Sequence, residues 1–210
     1  MAAPRRSRRA ERTEETKQEL VDAATRVFAR EGFHGASLEQ IVSEAGYSTG
    51  AIYGHFGGKD ELFLAAFDAY ALTRVGELTA IDAAEEGPLP ARARAFADHW
   101  MERQAGDPSF MVIALEFLAH AWRRPALRDA MATRHAAVRL ALGRFIEKAA
   151  RNSEVELPMP AQDIATALRE MGVGLALVKL TDPGAFPDRL FGDFVELFFE
   201  LATKAQAPCK

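Results

Sequence analysis

The sequence predicts an all-α protein, and three observations carry that prediction. Apolar residues recur at three- and four-residue spacing through almost every segment, the period of a helix buried along one side. No stretch alternates convincingly between apolar and polar residues, so no sheet is expected. Ser, Thr or Asp stands before many of the apolar runs, and Gly or Pro follows them, which is the punctuation of helix starts and stops.

About nine helices are expected from these signals. The first starts near Thr13, a suitable N-cap followed by Glu14 and Glu15, whose charge suits the positive end of the helix dipole. Leu20, Ala23, Ala24, Val27 and Phe28 form its apolar stripe, and Gly32 stops it. The second starts at Ser37, with Gln40 in capping-box position, buries Leu38, Ile41, Val42 and Ala45, and breaks at Gly46. Ser48 is expected to cap a short third helix in which Ile52 and Phe56 share a face, ended by Gly57 and Gly58. A fourth runs from about Lys59 to Leu78 with Leu62, Phe63, Ala66, Phe67 and Tyr70 inward. After a turn-rich linker over 85–90 come a fifth helix carrying Phe96 and Trp100 and a sixth opening at Asp107-Pro108. The sixth is apolar on nearly every side from Phe110 to Trp122 and is expected in the middle of its domain. A long seventh starts at Pro125 and ends near Asn152. Beyond Pro158 and Pro160, one helix aligns Ile164, Leu168, Met171, Leu175 and Val178, and the last aligns Leu190, Phe194, Phe198 and Leu201.

Composition narrows the functional classes. The net charge of −4 gives no overall basicity, so affinity for nucleic acid has to come from a local patch. Arg5, Arg6, Arg8, Arg9 and Arg12 crowd residues 1–12, which are expected to form a disordered basic tail. Such arms add sequence-independent affinity for DNA, or are simply solvated. The lone Cys209 provides neither an intrachain disulfide nor a metal cluster, which fits a reducing compartment. No apolar run is long enough to span a bilayer, and a cytoplasmic protein is expected. His-Glu-x-x-His, phosphate-loop and Gly-x-Ser-x-Gly signatures are missing, so neither an enzyme nor a cofactor is expected, and a helical-bundle enzyme is the remote alternative.

The most informative stretch is Ser37 to Lys59: a capped helix, a glycine-containing break and a second short helix, the pattern of a helix-turn-helix. The major groove admits one helix, so a reading helix has to be held out on a rigid support. The residues resemble those of the TetR family of transcriptional regulators. The matching pieces are Ala-Ala-Thr-Arg-Val-Phe-Ala-Arg-Glu-Gly-Phe at 23–33, Ser-Leu-Glu-Gln-Ile-Val-Ser-Glu-Ala-Gly-Tyr-Ser at 37–48, Thr-Gly-Ala-Ile-Tyr-Gly-His-Phe at 49–56 and Lys-Asp-Glu-Leu-Phe at 59–63. The resemblance implies a DNA-binding domain over 13–58 and a helical effector-binding and dimerisation domain over 59–210. It implies phosphate contacts from Tyr53, His55 and Lys59 and from Ser37 at its helix N-terminus. Thr49, Gly50 and Ala51 would face base edges, with Ser48 at the rim and Glu39 reaching a base or facing solvent. Gly54 and Thr49 depart from the bulkier residues usual in the family, which shifts reading toward thymine methyls and DNA shape.

Polar groups interrupt the apolar faces of the later helices, and two readings stand side by side. In one, Phe67, Tyr70, Trp100, Gln104, Phe110, Glu116, Phe117, His120, His135, Met171 and Leu175 line a pocket for a small, largely apolar ligand. In the other they are packed core, with Glu116 and His120 paired one turn apart. A metal at Glu116 and His120 lacks a third ligand, so none is expected. The stripes of the last two helices, with Gly172, Gly174 and Ala176 allowing close approach, suggest a four-helix homodimer interface. The expected function is repression at a palindromic operator DNA, relieved by the ligand; the alternative is a regulator with no small-molecule effector.

Overall fold

The computed structural model describes residues 5–84 and 87–204. All regular structure among them is helical: α1 (Arg5–Gly35), α2 (Leu38–Ala45), α3 (Thr49–His55), α4 (Lys59–Ala84), α5 (Leu89–Gly106), α6 (Ser109–Trp122), α7 (Pro125–Asn152), α8 (Ala161–Thr181) and α9 (Leu190–Lys204). They form two compact units. The first takes the chain up to Ala71 together with Ser109–Ala132, and the second takes Leu72–Pro108 and the chain from Thr133 onward. The divisions fall inside α4 and α7, and α6 belongs to the first unit.

The first unit is built on an aromatic cluster. Phe63 of α4 stacks on Phe117 of α6 with ring centroids 4.1 Å apart, and Phe33 meets Phe117 edge-on at 5.0 Å. Phe28 closes the group edge-on against Phe63 at 5.7 Å. All four rings are essentially excluded from solvent. Edge-to-face and offset pairs of this kind contribute about 0.5–1.5 kcal/mol each beyond burial. Leu20, Ala24, Val27, Ile41, Ile52 and Leu62 complete this core, as the periodicity of the first four helices requires. α1 is interrupted at Gly32, where φ is 73°. A side chain there would be strained, and its Cβ would fall 2.9 Å from a carboxylate oxygen of Glu116.

The second unit centres on Leu89, Ala97 and Met101 of α5, Ala149 and Ala150 of α7, Ile164 of α8, and Phe191, Val195 and Phe199 of α9. α5 and α9 pack along their lengths, and the Arg94 guanidinium ties them by reaching Asp193 at 2.7 Å and also Glu196. Asp98, on α5 itself, lies 3.4 Å from the same guanidinium.

Several expectations need correction. Residues 5–12 are helical rather than disordered: nothing between Arg5 and Thr13 breaks a helix, and Arg, Ala and Glu all favour one. Residues 1–4, the linker pair 85–86 and Cys209 lie outside the described residues. Ser48 occupies the N-cap of α3, but its side chain makes no capping bond. α6 is not enclosed on all sides: Ile113, Phe117 and Ala121 are buried, whereas Val112, Leu115, Leu118 and Trp122 are exposed. Glu116 and His120 do not pair with each other; Glu116 bonds to backbone amides of α1 and His120 to Asp60. On α9 the exposed apolar line is Leu190, Phe194, Leu197 and Leu201, while Phe198 turns partly toward the core. Gly172 and Ala176 are buried within the chain, and only Gly174 of the three small residues opens to the surface.

Candidate nucleic-acid interface

Local chemistry sets the helix-turn-helix. Ser37 caps α2 by accepting from the Gln40 N–H, and the Gln40 side chain accepts from the Ser37 N–H at 2.7 Å, a complete capping box. Removing such a cap costs about 1 kcal/mol. At the other end Gly46 adopts a left-handed conformation, and the Tyr47 N–H donates to the Val42 carbonyl at 2.9 Å, which turns the chain toward α3.

The turn is held to α1 from two sides. The Tyr47 hydroxyl donates to the Glu19 carboxylate and lies 3.4 Å from the Thr16 hydroxyl. Arg26 and Arg30, one turn apart on α1, converge on Glu44 of α2 at 2.7 and 3.1 Å. Hydrogen bonds from Arg26 and Arg30 hold the Glu44 carboxyl below its ordinary value. The expected site residues did not include these contacts. The two arginines one turn apart were a visible signal, but their partner sits 14 and 18 residues away.

On α3, Ile52 is fully buried and Phe56, at the C-cap, nearly so, which fixes the rotation of this seven-residue helix. That rotation turns Tyr53 outward, 60% exposed, with Ser48, Gly50 and Gly54 also exposed. Thr49, Ala51 and His55 are partly buried along the same helix, and Ser37 is partly buried at the start of α2. Glu39 is exposed on α2. A Cβ at Gly54 would meet nothing within 4 Å, so the outer face of α3 is unusually bare.

Lys59 is anchored on the end of α1. Its ammonium donates to the Ala36 carbonyl at 2.6 Å and to the His34 carbonyl at 3.4 Å, and lies 4.8 Å from the centroid of the Phe33 ring. Burial lowers its pKa, partly offset by Asp60 and Glu116. Lys59 is therefore first a strut between α4 and the end of α1.

Two comparisons identify the chain. Residues 20–66 match the model for bacterial regulatory proteins of the tetR family, and residues 90–198 match the C-terminal model of BetI-type transcriptional repressors. The chain belongs to the TetR family. SrpR of Pseudomonas putida is 48% identical over 52 residues, a stretch covering 25% of this TetR-family chain and only 24% of SrpR. The nicotine-responsive repressor HdnoR of Paenarthrobacter nicotinovorans is 28% identical over 172 residues, 81% of this chain and 87% of HdnoR. Among solved structures, FadR of Bacillus subtilis in complex with stearoyl-CoA aligns with a TM-score of 0.61 at 16% identity, covering 89% of this chain and 97% of FadR. That last likeness concerns the fold alone.

The residues expected to line a ligand pocket divide between the two units. Phe67, Tyr70, Phe110, Glu116, Phe117 and His120 belong to the first, and Trp100, Gln104, His135, Met171 and Leu175 to the second. Phe117 sits in the aromatic core, and Tyr70 stacks on Phe110 at 3.5 Å. Gln104 is buried on α5, and Trp100 packs edge-on to Phe191. A groove of about 420 Å³ lies in the second unit between the end of α7 and the start of α8, lined by Arg144, Glu147, Arg151, Leu157 and Gln162 among others, and none of the eleven lines it. No helix among the described residues is long and apolar enough to cross a membrane, and no three metal-ligating side chains gather among them.

His135 carries a pH prediction. Burial, with Arg169 next, lowers its pKa below 6.5. Below that value the unfolded chain binds a proton the folded chain resists, so stability rises with pH in this window. The contribution is fully present above pH 6.5 and is lost as the pH falls toward the folded value. Urea melts from pH 7.5 to 5 are expected to show a shallower acid loss for His135→Gln than for the parent. Parallel curves would mean that His135 takes up its proton without cost.

Proposed function

We propose that the chain is a homodimeric transcriptional repressor that reads a palindromic operator with α3 and is released from it by a small, largely apolar ligand. One observation carries the DNA-reading part: Tyr53 projects into solvent from a short helix whose other side is locked by Ile52 and Phe56. A short helix anchored on one side, with its other side open to solvent, has the dimensions the major groove admits. Tyr53, His55 and the α2 N-terminus at Ser37 supply phosphate contacts, and the third donor of Lys59 adds another. Thr49, Gly50 and Ala51 face base edges, with Ser48 at the rim and Glu39 beside it. The absence of side chains at Gly50 and Gly54 lets the DNA come close to the helix backbone and places weight on groove shape.

Two copies are required mechanically, because both reading helices have to enter one face of the duplex about one turn, roughly 34 Å, apart. The exposed line of Leu190, Phe194, Leu197 and Leu201 on α9, with Val178 on α8, is the surface proposed for that pairing. The effector part follows from family membership and from the ligands named for HdnoR and FadR. A second reading, operator binding without an effector, is favoured by the packing of Phe117 on Phe63 and of Tyr70 on Phe110, which leaves these expected pocket residues stacked on neighbouring rings.

The test uses DNA flanking the gene and measures affinity against salt. Steep salt dependence is expected, since each neutralised phosphate releases counterions. Tyr53→Phe is expected to weaken binding to all sites by roughly 3- to 10-fold, the loss of one hydrogen bond. Thr49→Ala is expected to change the preferred bases at one position while leaving affinity for unrelated DNA unaltered. A parent protein that binds no such DNA, or binds with no salt dependence, would refute the DNA-reading proposal.

A further inference from the structure

Glu116 is the acid that interrupts the apolar sequence of α6, and its carboxylate is already in use. Oε2 accepts the Phe33 N–H at 2.8 Å and the His34 N–H at 3.3 Å, across 83 and 82 residues of sequence. These amides follow the Gly32 break, where α1 deviates from helical geometry just before the chain turns through Ala36 into α2. Amides after such a break have no regular partner in the helix behind them, so an outside acceptor is needed to fix them. Gly32 itself leaves room for the carboxylate, because any Cβ there would fall 2.9 and 3.0 Å from its two oxygens.

A second contact ties α6 to the same corner. His120, one turn further along, bonds to Asp60 in the first turn of α4 at 3.0 Å. Lys59 beside it donates to the carbonyls of His34 and Ala36. The end of α1 is thus held on its N–H side by α6 and on its carbonyl side by α4. The segment so held, Phe33 to Ala36, leads directly into Ser37, the N-cap of α2.

α6 lies in the first unit, yet the residues before it, up to Pro108, and those after it, from Thr133, belong to the second. We infer that Glu116 is a positioning residue for operator binding, which sets the stance of the reading helix by holding the amides of Phe33 and His34. The inference rests on the DNA-reading function proposed above. It needs no contact between Glu116 and DNA.

The test compares Glu116→Ala, Glu116→Gln and Ile113→Val in the full chain, with the parent's operator binding as the prior condition. Ile113 is buried on the same helix, so its trimming loosens α6 without touching the two hydrogen bonds. Glu116→Ala is expected to lower operator affinity by tenfold or more. It is also expected to speed hydrogen exchange at the Phe33 and His34 amides by a similar factor, with Ile41 and Ile52 amides unchanged. Glu116→Gln keeps a carbonyl acceptor and is expected to recover part of the lost affinity, because a neutral acceptor holds an N–H about half as strongly as a carboxylate does. Ile113→Val is expected to lower the melting temperature while leaving affinity intact. Should Glu116→Ala fail to fold, Glu116→Asp, which draws the carboxylate back by one methylene, takes its place with the same expected loss. Operator affinity equal to the parent's in the Ala or Asp variant, or affinity that merely follows melting temperature across all variants, would overturn the inference. A parent that binds no operator would instead remove the function on which it rests.

Discussion

Replacing Leu197 and Leu201 with glutamate is expected to leave a folded monomer that no longer retains operator DNA. Both side chains are more than half exposed, at 53% and 58%, so the substitutions cost the protomer's own core little. In a dimer they would place four carboxylates in an apolar four-helix contact, and each buried charge without a partner is costly. The line they interrupt runs Leu190, Phe194, Leu197 and Leu201 at spacings of four, three and four, a continuous stripe on one side of α9. The opposite side, Phe191, Val195 and Phe199, already fills the second unit's core. α9 is therefore apolar on two sides, and burial within the chain accounts for only one of them. Sedimentation is expected to show the mass halving. Operator affinity is expected to fall by roughly 100-fold or more, the loss that follows when two linked reading heads become one. A double variant that stays dimeric would move the interface elsewhere.

Phe117→Ala separates core from pocket at one of the residues expected to touch a ligand. The ring is fully buried, stacked on Phe63 and edge-on to Phe33, at the meeting of α1, α4 and α6. A cavity there is expected to cost about 3–5 kcal/mol, as for other buried aromatic rings cut to alanine. Urea unfolding followed by circular dichroism reads this directly. A cost below about 1 kcal/mol, as for surface substitutions, would show that the site tolerates a vacancy, as a ligand-lining position does.

How much was legible in the residues depended on the distance between cause and effect along the chain. The helix-turn-helix could be read because its determinants are local: the Ser37–Gln40 capping box, Gly46 in a left-handed turn, and Ile52 and Phe56 one turn apart. Thr13 has the form of an N-cap, yet α1 extends back to Arg5 because the arginine-rich residues before Thr13 are equally good helix formers. The partners of Glu116 and His120 were not legible. An acid and a histidine one turn apart suggest a local pair, yet each is satisfied by a residue 60 to 83 positions away. The setting of Lys59 was hidden for the same reason, since its acceptors are main-chain carbonyls at the end of another helix. The enclosed position expected for α6 failed on a different point. Mean apolarity does not say which side finds a partner, and Val112, Leu115 and Trp122 remain exposed.

Hydroxyl-radical footprinting on the DNA upstream of the gene, with the protein's stoichiometry measured on the same fragment, tests the central claim most directly. The account predicts two protected half-sites related by a two-fold axis, with centres about one helical turn apart. It also predicts two protomers per site and a footprint that disappears as salt is raised. A single unsymmetrical footprint occupied by one protomer, or protection indifferent to salt, would contradict the picture of a paired, outward-facing α3 as the reading element.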